Sequence, residues 1–75
     1  MSISKINIPE LKAEMARIDL SIPKLANKIG LGKKTLYQKF SGKTQFTLPE
    51  IVSICNVLEL DGNGILNIFF NQKVS

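Results

Sequence analysis

Residues 25–43 read LANKIGLGKKTLYQKFSGK. Leu25 and Ala26 precede Gly30, and Leu36 follows the turn Gly30-Leu31-Gly32. A small inward residue such as Ala26 lets a second helix approach closely, and Gly30 tolerates the positive φ that closes a helix. Leu31 can plug the turn, and Leu36 can pack back against Ala26. Two short helices that cross steeply around a turn of about three or four residues make a helix-turn-helix.

The same part of the chain carries charge of one sign. From Leu20 to Pro49 there are Lys24, Lys28, Lys33, Lys34, Lys39 and Lys43, and no acidic residue. Residues 1–19 balance, with Lys5, Lys12 and Arg17 against Glu10, Glu14 and Asp19. Beyond residue 49, Glu50, Glu59 and Asp61 face only Lys73, so the net charge of +4 arises in the middle of the chain. Lysine runs are as a rule solvated faces, but a block of one sign also suits a partner of the other. Lys33 and Lys34 fall in a first helical turn, where they oppose the positive end of the helix dipole.

Outside this stretch the pattern stays helical. Asn7 can cap a first helix, with Pro9 in its first turn and Glu10 at the third position; Leu11, Met15 and Ile18 then share a face. Ser21 caps the helix that carries Leu25, Ala26 and Ile29. A third helix is expected from about Lys33 to Phe40, stopping at Ser41-Gly42. Thr47 and Glu50 form a capping box, followed by Ile51, Ile54, Cys55 and Leu58 at helical spacing. Asp61 caps a last helix with Ile65, Leu66, Ile68, Phe69 and Phe70. The expectation is an all-α fold of five short helices over residues 7–71, with an N-terminal arm at 1–6 and a tail at 72–75.

With 44% hydrophobic and 21% charged residues in 75, the chain reads as one globular domain with a marginal core. No apolar run approaches the roughly 18 residues needed to cross a bilayer, and MSISKINIPE lacks the apolar centre of a signal peptide. A cytoplasmic protein with no membrane partner is expected. Cys55 is the single cysteine and there is no histidine. An internal disulfide is thus excluded, no metal site is expected, and Cys55 reads as a small buried hydrophobe. Without histidines or paired acids there is little for acid–base chemistry, so no catalytic residues, cofactor or small-molecule ligand are expected.

Residues 25–43 resemble the helix-turn-helix of the phage Cro/CI-type repressors, the XRE-like family. Leu25, Ala26, Gly30, Leu31 and Leu36 match its motif in order, and Gly42-Lys43 matches the Gly-Lys after its second helix. With TLPE and the helices that follow, the likeness spans about residues 8–70. It implies a small five-helix, lambda-repressor-like domain that binds an operator in double-stranded DNA as a transcriptional regulator of phage or prophage type. In that family the second motif helix lies in the major groove. Carried over, Lys33, Lys34, Tyr37 and Gln38 take the base-facing positions. Ser21, Asn27, Lys28, Ser41, Lys43, Thr44 and Gln45 take the phosphate-facing ones. At about 100° per residue, Leu36 and Phe40 share the inward side, Lys34 and Gln38 point nearly opposite, and Tyr37 flanks them.

At two positions the chain departs from the family pattern. Ile22 stands where a polar phosphate ligand is usual, so that contact is either missing or replaced by backbone N–H groups capped by Ser21. Lys39 stands where an apolar residue is usual and Phe40 follows, which implies a second helix rotated or extended relative to the common type. The apolar residues of the last helix exceed one face, and Ile65, Ile68, Phe69 and Phe70 make a candidate homodimer seam for palindromic half-sites. A second reading keeps the fold but has the chain act as an antirepressor-type modulator that binds a partner phage repressor.

Overall fold

The structure, a computed structural model, describes residues 6–70. It is all-α there, with α1 (Ile8–Arg17), α2 (Ile22–Ile29), α3 (Lys33–Phe40), α4 (Leu48–Leu58) and α5 (Gly62–Phe69). Four of the five starts are capped by the side chains expected from sequence. Asn7 accepts from the Glu10 N–H, Ser21 from Lys24, Thr47 from Glu50 and Asp61 from Gly64. At α4 the box is complete, since the Glu50 carboxylate also accepts from the Thr47 N–H at 2.8 Å. Such caps each contribute on the order of 1 kcal/mol, which matters in a domain this small.

α2 packs on α3 and on α4, while α1 packs on α5. One core joins them: Leu11 and Met15 from α1, Leu25 and Ala26 from α2, Leu36 and Phe40 from α3, Ile51, Ile54 and Leu58 from α4, and Ile68 and Phe69 from α5. Leu20 and Phe46, both outside the helices, complete it. Phe46 meets Phe40 edge to face, with ring centroids 5.7 Å apart.

Several expectations are corrected. Ile18 does not continue the apolar face of α1. Asp19 takes a left-handed conformation (φ 56°), the helix stops at Arg17, and Ile18 is left 52% exposed. Cys55 is half-buried against the core rather than fully enclosed, and burial pushes its thiol above the ordinary value. Ile6, placed in the arm by sequence, packs against the core, and the Asn7 N–H donates to the Ile68 carbonyl at 2.8 Å. The remainder of the arm, residues 1–5, and the tail lie outside the described residues.

The dimer-seam set also divides. Ile68 and Phe69 are 0% and 1% exposed, so they belong to the chain's own core and cannot form a seam. Ile65 is half-buried. Phe70 remains 44% exposed and is joined by Leu66, one turn earlier, at 56%. The physical reason is the docking of α5 on α1, which consumes one stripe of the helix and leaves only the i, i+4 pair outside it. Among the described residues no helix is long and apolar enough to cross a membrane.

Candidate functional site

The α2–α3 unit is built as its sequence suggests. Gly30 closes α2 in the left-handed region (φ 77°), and the Leu31 N–H returns to the Ala26 carbonyl at 2.9 Å. A Cβ at Gly30 would meet no atom within 4 Å, so the glycine is required by conformation rather than by space. Leu31 is half-buried in the turn, and Leu25, Ala26 and Leu36 lie in the core where α2 meets α3. Leu36 and Phe40, one turn apart, hold α3 by its inner face.

The remaining faces of α3 divide in two. Lys33 and Lys34 are exposed in the first turn, Tyr37 keeps 48% of its surface exposed, and Gln38 is half-buried. Helical phase puts Lys34, Tyr37, Gln38 and Ser41 on one outward arc. Of the phosphate-facing candidates, Ser21, Asn27, Lys28, Lys43, Thr44 and Gln45 are exposed. Ser41 is exposed as well, but its hydroxyl donates to the Gln38 carbonyl at 2.9 Å, so its one proton is already engaged. The side chain of Ile22, at the position where the resemblance expects a polar one, packs against the core and has no polar atom to offer a phosphate.

The C-terminal end of α3 is tightly wound. Gly42 is left-handed (φ 86°), its N–H donates to the Lys39 carbonyl at 3.2 Å, and the Lys43 N–H donates to Gln38 at 2.9 Å. These two bonds make a Schellman closure, and they place Lys43 directly beyond the helix. The start of α3 is the opposite case. Gly32 is its N-cap and offers no side chain, no acid stands in the first turn, and the early N–H groups carry no side-chain cap.

Ion pairing separates Lys39 from the other lysines. Its ammonium lies 3.0 Å from the Glu50 carboxylate and donates to the Gln45 carbonyl at 2.8 Å, with its side chain only 9% exposed. For Glu50, burial alone would raise the carboxyl pKa; the Thr47 N–H and the Lys39 ammonium outweigh it and hold the group below its ordinary value. Among the described residues Lys24, Lys28, Lys33, Lys34 and Lys43 have no carboxylate partner. In the sequence Lys39 stands as one of the block's lysines at a position where the family pattern is apolar, and Glu50 as a cap and one of the later acids; nothing in their spacing pairs them. Phe46 carried no periodic signal at all, because its burial depends on how the loop after α3 folds back.

A concavity of about 390 Å³ lies between α1 and α5 and is lined by Glu10, Glu14, Arg17, Glu59, Asp61 and neutral neighbours. No group of three His, Cys, Asp or Glu residues is placed to hold a metal ion among the described residues. No protein-family model matches the chain, and no curated protein matches it.

Proposed function

We propose that the chain is a sequence-specific double-stranded DNA-binding transcriptional regulator that inserts α3 into the major groove of an operator. The observation that carries this reading is the division of α3. Leu36 and Phe40 are locked into the core, while Lys34, Tyr37 and Gln38 share the outward arc of a segment whose lysines, Lys39 excepted, have no described carboxylate partner. A helix fixed by its inner face presents its outer side chains in constant register, which base reading requires.

The side-chain chemistry fits that use. Lys33 and Lys34 can donate to guanine O6 and N7, Gln38 can pair bidentately with adenine, and the Tyr37 ring can lie against a thymine methyl. Asn27, Lys28, Lys43, Thr44 and Gln45 are exposed on both sides of α3 in sequence and suit phosphates, which set position without reading bases. The uncapped start of α3, with its positive dipole end, suits an anion as well. The resemblance of residues 25–43 to the Cro/CI-type motif points the same way and implies a repressor of phage or prophage type acting in the cytoplasm. The exposed pair Leu66 and Phe70 offers a second copy a small apolar patch through which to pair on palindromic half-sites.

Selection from a pool of random duplexes tests this directly and should return a preferred site. Lys34→Ala and Gln38→Ala should each cost about 1–3 kcal/mol on that site and relax the preference at single base pairs. Lys43→Ala should weaken all duplexes alike. A chain that binds no duplex but captures a partner repressor would instead be a protein-binding modulator of the same fold.

A further inference from the structure

Lys39 lies within the lysine-rich stretch, yet its surroundings are those of a tie rather than of a contact surface. The ammonium faces two separate pieces of the chain, the end of the loop after α3 and the first turn of α4. It donates to the Gln45 carbonyl at 2.8 Å, pairs with Glu50 of α4 at 3.0 Å and sits 6.0 Å from the centre of the Phe46 ring. Residues 41–45, between this point and α3, are all exposed. The loop they form is fastened at two places. Next to α3, the Gln38 carbonyl accepts from Ser41 Oγ at 2.9 Å, from the Lys43 N–H at 2.9 Å and from the Thr44 N–H at 3.4 Å. At its far end, Lys39 holds Gln45, and Phe46 is buried against Phe40.

We infer that Lys39 is a positioning residue: with Glu50 it fixes residues 41–45 against the end of α3, so that Lys43, Thr44 and Gln45 meet phosphate while Lys39 itself does not touch DNA. The inference rests on the DNA-reading role proposed for α3. A lysine serves here because its side chain is only 9% exposed while its head satisfies a loop carbonyl and a carboxylate together, which an apolar residue at that position could not do. The neighbouring charge is thereby removed from the outward face. α3 keeps Lys33 and Lys34 as its unpaired cations, and the loop keeps Lys43.

Lys39→Met keeps the stem and removes the head, and Glu50→Gln keeps an oxygen for the Thr47 N–H while removing the charge. Amide hydrogen exchange of the free protein is read first. Exchange at Lys43 and Thr44 should accelerate about tenfold in both variants, while the amides of α2 stay as in wild type. Duplex affinity is read second. Each variant should lose about three- to tenfold, the double variant should lose no more than the worse single one, and the dependence of log affinity on log salt should keep its slope. A slope reduced by about 1 in Lys39→Met alone would show Lys39 to be a phosphate contact, and unchanged exchange and affinity would show it to be a bystander. Should wild type bind no duplex, the DNA reading fails, but the exchange result still decides whether Lys39 and Glu50 hold the loop.

Discussion

On the α1–α5 side the charge is mostly acidic: Arg17 donates to Glu14 at 2.8 Å, while Glu10, Glu59 and Asp61 line the same cleft with no described basic partner. On the α2–α3 side, Lys24, Lys28, Lys33, Lys34 and Lys43 have no described acidic partner, and the one lysine that does, Lys39, obtains it from α4. The helix starts differ in the same sense. α1, α2, α4 and α5 are each capped by a side chain, and α3 is not. Two lysines at an uncapped start cost local stability, about 0.3–1 kcal/mol each if the dipole is unscreened. Nothing in the packing of α3 requires that cost, because the inner face is held by Leu36 and Phe40 whatever stands outside. The contrast is between an acidic face whose helix starts are capped and a basic face whose central helix starts uncapped.

The sharpest way to break this contrast lies in two adjacent residues. Leu36→Ala should destabilise the domain by about 2–5 kcal/mol in urea unfolding, whereas Tyr37→Ala should stay within about 0.5 kcal/mol of wild type. Equal losses would mean that α3 has no distinct outer edge. Glu50 gives a pH signature. Its folded pKa lies below the ordinary value, so its contribution is complete above the usual glutamate range and is lost as pH falls through that range to below the folded pKa. Acid unfolding of Glu50→Gln should begin from a lower plateau and show less loss over that interval.

Gly32→Asp supplies the missing cap. Its backbone is already extended, and a Cβ would meet Thr35 Oγ1 at an ordinary 3.6 Å. Thermal unfolding should show a gain of about 0.5 kcal/mol, while duplex binding weakens because a carboxylate now stands beside Lys33 and Lys34. A gain in both would remove the conflict between stability and function at this start. The smallest effect is expected on the opposite side. Arg17→Ala breaks an exposed pair and should change stability by less than about 0.5 kcal/mol, with duplex affinity unmoved.

The helix starts were legible in the sequence because capping is local. Asn7 with Glu10, Ser21 with Lys24, Thr47 with Glu50 and Asp61 with Gly64 each act over a single turn. The turn at Gly30 was legible for the same reason. The division of α5 was not, since only its docking on α1 decides that Ile68 and Phe69 go inside and Leu66 and Phe70 do not. The early stop of α1 depends on the backbone of Asp19, which takes the left-handed region that aspartate visits only occasionally. Lys39 was visible as a departure from the family pattern, but its partner Glu50 is reached only across the loop that buries Phe46. Local signals thus marked the elements and the outward residues of α3, while the tie behind them needed the tertiary fold.

The most direct measurement is duplex affinity across a salt series for wild type, Lys43→Ala and Lys12→Ala, the last removing an exposed lysine from α1. If the five unpaired lysines of residues 24–43 each displace a counterion, log affinity should fall against log salt with a slope of about −4 to −5. Lys43→Ala should reduce that slope by about 1, and Lys12→Ala should leave it alone. A slope near zero, or equal changes at Lys12 and Lys43, would contradict a DNA-binding face built on α2 and α3.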